Sequence, residues 1–120
     1  MMSIEDKGTI LYVEDNPDNR TLVRRILLSE DYKLLEAKNA HEALDVIKTT
    51  RPDLILMDIN MPGIDGIGAS QKISELLPNS QIIIMSVQSD SDYLRRAMLA
   101  GARDFLTKPF GGDELVAAVR

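Results

Sequence analysis

A chain of 120 residues, 44% of them hydrophobic, is the size of one ordinary domain with a real core, and residues 1–120 are read as a single domain. The net charge of −5 argues against direct nucleic-acid binding, and the lack of cysteine excludes disulfides and thiolate metal sites. His41 is the single histidine, so any bound metal needs oxygen ligands; with no apolar signal segment and no run near the roughly 20 residues of a membrane span, a cytoplasmic protein without membrane contact is expected.

Residues 1–7 are expected to form a flexible N-terminus. The first strand is predicted at "TILYV", residues 9–13, with Tyr12 packed in the core. A helix follows over 17–29, opened by Asn16 as N-cap and Pro17 in the first turn, with Leu22, Val23, Ile26 and Leu27 on one stripe. "KLLEA" at 33–37 is the second strand, and a helix over 40–49 sets Ala43, Leu44 and Ile47 on one face and leaves His41 exposed. The third strand, "DLILM" at 53–57, runs into Asp58 and then into a turn-rich loop with Pro62, Gly63 and Gly66. A helix over 67–77 presents Ile73, Leu76 and Leu77, although Gly68 and Ser70 weaken it. "QIIIM" at 81–85 is the fourth strand; the next helix is capped by Asp90 or Ser91, buries Leu94, Ala97 and Met98, and stops at Gly101. "DFL" at 104–106 is the fifth strand, and the last helix opens near Gly112 with Asp113 and Glu114 in its first turn. That helix has only about eight residues before Arg120, against a mean of roughly 11–12, which is consistent with a longer natural chain.

Five alternations of strand and helix point to an α/β fold: a single doubly wound parallel sheet of five strands in the order 2-1-3-4-5, flavodoxin-like. The third and fourth strands are continuously apolar, as strands covered on both faces should be. Such sheets bind ligands beyond the carboxyl ends of their strands. There the sequence places Glu14 and Asp15 after strand one, Asp58 after strand three, Ser86 after strand four and Lys108 after strand five. Each alone is an ordinary cap, turn or surface residue; their meeting at one edge is what singles them out. Three close carboxylates repel one another unless a cation compensates, and Mg²⁺, which prefers oxygen ligands, is the natural one. With it in place, Asp58 is suited to attack phosphorus, and Lys108 to neutralise the transferring group.

"ILYVEDN", "DLILMDINMPGIDG", "IIIMS" and "GARDFLTKPF", in this order over the whole chain, resemble the receiver domain of two-component response regulators. The resemblance implies that Asp58 is the phosphoacceptor, and that Asp15, Asp58 and the backbone carbonyl of Asn60 bind Mg²⁺, with Glu14 acting through water. It further implies that Ser86 and Lys108 grip the phosphoryl oxygens, that Lys108–Pro109 is a cis peptide, and that Ser86 and Phe105 form the switch. The implied partners are a sensor histidine kinase or histidine phosphotransfer protein, docking on the first helix around Asn19, Arg20 and Val23. Beyond it stands a downstream protein or C-terminal output domain, reached through the fourth helix, fifth strand and fifth helix, with homodimerisation on activation as one form of output. A signalling phosphoprotein of a phosphorelay is thus expected, with no enzymatic activity beyond its own phosphorylation and dephosphorylation.

One position departs from the family: Val87 follows Ser86 where alanine or glycine is usual. With Asn60 and Gln88, Val87 is expected to border the path of hydrolytic water and to slow the loss of phosphate, because neither amide is a strong general base. Two other classes were weighed. A phosphatase with an aspartyl nucleophile usually carries that acid after its first strand, with a second acid two residues on; here the isolated Asp58 follows the third. A receiver-like binding module without phosphoryl chemistry conflicts with the complete set of Glu14, Asp15, Asp58, Ser86 and Lys108.

Overall fold

The computed structural model describes residues 8–58, 66–86, 91–108 and 110–119, with backbone alone at 66, 67, 69, 91 and 93. The expectations placed on residues 1–7, Asn60, Val87, Gln88 and Pro109 lie outside these residues. In chain order the elements are β1 (Thr9–Val13), α1 (Pro17–Ser29), β2 (Lys33–Ala37), α2 (Ala40–Val46), β3 (Leu54–Asp58), α3 (Gly66–Leu76), β4 (Gln81–Ser86), α4 (Ser91–Leu99), β5 (Asp104–Thr107) and α5 (Gly112–Val119). The strands form one parallel sheet in the expected order, β2-β1-β3-β4-β5.

Local chemistry sets the helix ends. The Asn16 side chain accepts hydrogen bonds from the backbone amides of Asp18 (2.9 Å) and Asn19 (3.2 Å), with Pro17 pre-set for the first turn. Asn39 accepts from the Glu42 amide (2.9 Å) in the same way at the start of α2. That helix ends at Val46 rather than at 49: beyond it the chain tightens to bonds three residues back, the Lys48 amide donating to the Asp45 carbonyl and the Thr49 amide to that of Val46, each at 3.2 Å, while the Arg51 guanidinium donates to the Ile47 carbonyl at 2.7 Å. Gly101 closes the chain after α4 with φ +105°, and a Cβ there would lie 2.5 Å from the Ser74 hydroxyl, so glycine serves both the left-handed turn and the approach to α3.

The sheet separates two apolar clusters, and side chains alternate between them along each strand. Leu11, Val13, Ile55, Met57, Ile82 and Ile84 meet α2, α3 and α4 through Ala43, Ile47, Ile73 and Ala97. Ile10, Tyr12, Leu54, Leu56, Ile83 and Met85 meet α1 and α5 through Val23, Leu27, Leu115 and Val119. Helix stripes are narrower than the sequence suggested: Leu22, Leu76, Leu94 and Met98, all expected on buried faces, are exposed. On α4 the buried residues are the small Ala97 and, just beyond the helix, Ala100. Among the described residues no helix is long and apolar enough to cross a membrane.

Candidate functional site

Strand alternation decides what meets at the carboxyl edge. Asp58 shares a face with Leu56, and Glu14 shares one with Tyr12, so both carboxylates emerge on the α1/α5 side. Both are buried, Glu14 at 1% and Asp58 at 2% exposure, an expensive place for a carboxylate without partners. The partner comes from just beyond β5. The Lys108 ammonium lies 3.1 Å from Glu14 Oε1 and 3.1 Å from Asp58 Oδ2, and its backbone amide donates to the Ser86 carbonyl at 2.8 Å. That last bond fixes where the chain leaves the sheet and hence where the side chain begins.

One ammonium does not balance the set. Burial first, and then the neighbouring Asp58, push the Glu14 carboxyl up to about 7 against the opposing pull of Lys108. Asp15, exposed, brings a third carboxylate, and one oxygen from each of Glu14, Asp15 and Asp58 lies within 4.8 Å of the others. An oxygen-only cluster with an uncompensated negative charge fits a hard divalent cation and suits Mg²⁺.

Ser86 is fully buried at the end of β4 and falls on the opposite, α2–α4 side with Ile82 and Ile84. Phe105, half-buried, packs on that same cluster; β5 pairs with β4 so that Thr107 faces Ser86 and Phe105 faces Ile84. Ser86 and Phe105 are therefore neighbours on one face of the sheet. His41 is exposed beside Asp45 and is not part of the Glu14, Asp15 and Asp58 cluster.

The sequence reading placed Tyr12 in the core, where it is, but missed its hydroxyl, which donates to Glu14 Oε1 at 3.1 Å. Burial and the Glu14 carboxylate drive the phenol well above its usual range, so it remains a neutral donor. The signal was available: residues two apart on a strand share a face. A cavity of about 340 Å³ opens beside this group between α1 and the chain after β5, with Leu22, Val23 and Phe110 as apolar walls over Tyr12, Glu14 and Lys108.

The family model of the response regulator receiver domain matches residues 10–120. Sporulation initiation phosphotransferase F of Bacillus subtilis is 34% identical over 111 residues, covering 92% of this chain and 90% of that protein. Chemotaxis protein CheY of Thermotoga maritima is 35% identical over 111 residues, 92% of each chain. Among solved structures, a two-component response regulator from Clostridium difficile superposes with a TM-score of 0.89 at 26% identity, covering 94% of this chain and 93% of that one. The receiver domain of a sensor histidine kinase from Pseudomonas aeruginosa PAO1, described with a magnesium ion coordinated in its active site cleft, gives 0.82 at 31% identity over 93% of both chains. Matched by the family model over residues 10–120 and superposing on these two solved structures over more than nine-tenths of its length, this chain belongs to the response regulator receiver domain family.

Proposed function

We propose that the chain, as one receiver domain over residues 1–120, accepts a phosphoryl group on Asp58 from the phosphohistidine of a sensor kinase or histidine phosphotransfer protein, and passes the signal to a downstream protein or output domain. The reading rests on one observation: a buried aspartate at the carboxyl edge of the sheet, joined by Lys108 to a second buried acid, Glu14. In the transfer, an Asp58 carboxylate oxygen attacks phosphorus in line. A P–O bond forms, the P–N bond breaks, and the imidazole leaves with the electron pair and is protonated. Lys108, 3.1 Å from Asp58 Oδ2, turns its N–H donors to the phosphoryl oxygens, and the Ser86 hydroxyl supplies another. Asp15, Asp58 and the Asn60 carbonyl would hold Mg²⁺, with Glu14 acting through water; once bound, the ion supplies neutralising charge and fixes the oxygens' geometry. The magnesium-bearing relative from Pseudomonas aeruginosa supports this assignment.

A phosphoryl group on Asp58 would draw the Ser86 hydroxyl toward it, and Phe105, beside Ser86 on the same face, would fill the space, changing the α4-β5-α5 surface that meets the output partner or a second copy. The kinase or phosphotransfer helix would dock on α1 around Asn19 and Arg20, beside the adjoining cavity; Val23, expected on that face, is instead buried against the sheet. Asn60, Val87 and Gln88 would set the lifetime by controlling water, and the protein would work in the cytoplasm without turning over any external substrate. Intact mass after incubation with a small phosphodonor and Mg²⁺ is the test. One adduct is expected, absent in Asp58→Asn and in excess chelator, and decaying about tenfold faster in Val87→Ala. An Asp58→Asn protein labelled to the wild-type yield would refute the assignment.

A further inference from the structure

We propose that Tyr12 is a positioning residue of the site: its hydroxyl holds the Glu14 carboxylate in place for the cation that Asp15 and Asp58 would bind, an inference that rests on the function proposed above. Tyr12 and Glu14 are each 1% exposed, and their side chains emerge on the same face of β1 and its extension. The hydroxyl donates to Glu14 Oε1 at 3.1 Å, and that same oxygen receives Lys108 Nζ at 3.1 Å, so one carboxylate oxygen is gripped from two sides. The two donors are not equivalent. Lys108 also reaches Asp58 Oδ2 at 3.1 Å, and a phosphoryl group there would compete for its N–H bonds. Tyr12 is 1% exposed and belongs to the core cluster of Val23, Leu27 and Leu56, so Glu14 keeps an anchor when the ammonium is recruited elsewhere.

Side-chain length is part of the arrangement. An aspartate at position 14 is shorter by one C–C bond, about 1.5 Å, which withdraws its oxygens beyond hydrogen-bond range of the phenol. The other acceptor near the hydroxyl is the Asn19 carbonyl at 3.4 Å, a poor second. A tyrosine that merely filled space would be indifferent to what stands at position 14; a positioning tyrosine is coupled to it.

The test is a double-mutant cycle read by Mg²⁺ titration calorimetry on wild type, Tyr12→Phe, Glu14→Asp and the double variant, with melting temperatures recorded in chelator. Tyr12→Phe keeps the ring and is expected to raise the Mg²⁺ Kd about tenfold, as loss of a residue that orients a ligand does. In the Glu14→Asp background the same change is expected to alter Kd less than twofold. Tyr12→Phe binding like wild type, or two losses that simply multiply, overturns the inference while leaving the proposed function standing. A wild type that binds no Mg²⁺ overturns both. Should Tyr12→Phe melt too early to titrate, the hydroxyl proton resonance of Tyr12 serves: it is expected to shift in Glu14→Asp, and an unchanged resonance overturns the proposal.

Discussion

The two faces of the sheet end differently at their carboxyl edge. On the α1/α5 face the hydrocarbon of Tyr12, Leu56 and Met85 gives way to a tied set of charges, Glu14, Asp58 and Lys108, with the Tyr12 hydroxyl beneath. On the α2–α4 face it gives way to a buried hydroxyl, Ser86, and a half-buried ring, Phe105. Strand pleating makes this division, because β3 and β4 run side by side with Asp58 level with Met85, one step before Ser86. The charged set and the Ser86–Phe105 pair thus sit a residue apart without sharing a core.

The largest test of that division is Lys108→Ala. Removing the ammonium leaves two buried acids facing each other, and the expected cost is about 3 kcal/mol in a denaturant melt without divalent cation. The phosphodonor reaction is expected to slow roughly a hundredfold. Wild-type stability in that variant would show that the α1/α5 face is not tied by its charges, and the comparison would break.

Gly101→Ala probes the other face. The φ of +105° and the 2.5 Å approach to Ser74 leave no room for a Cβ, so a loss of about 2 kcal/mol in urea is expected. Mg²⁺ affinity should stay within twofold, since α3 and α4 cover the face without the carboxylates. A large loss of Mg²⁺ binding would mean that the faces are coupled through the sheet.

The remaining test is in pH. The Glu14 carboxyl is raised in the folded chain from 4.5 to about 7, so folding favours its protonated form. Its contribution to stability is present below about 4.5 and is lost as pH rises through about 7. Calorimetric melts in chelator should therefore show wild type losing stability relative to Glu14→Gln across that window. Mg²⁺ should bind more tightly over the same range, because the proton it must displace has left. Parallel wild-type and Glu14→Gln profiles would remove Glu14 from the charge set.

Strand order was legible because the apolar runs at β1, β3 and β4 are long enough to be buried on both sides, and Asn16–Pro17 marked the start of α1 unambiguously. Asp58 was readable as a carboxylate ending an apolar strand. Helix faces were harder: on α4, Ala97 is buried while Leu94 and Met98 are exposed, an order that hydropathy does not give. The early end of α2 is a tightening of its last turn to bonds three residues back, Lys48 to Asp45 and Thr49 to Val46, which periodicity does not register. Tyr12 was assigned by its ring, and its hydroxyl mattered only once Glu14 had a position.

The sheet's last backbone bonds are made by two residues of the charged set: the Glu14 amide donates to Ala37 at 3.0 Å, and the Lys108 amide to Ser86 at 2.8 Å. These bonds belong to the main chain and survive replacement of either side chain. Single substitutions can therefore rewrite the charged rim while these main-chain bonds persist, so that outline alone does not tell which side chains stand on it.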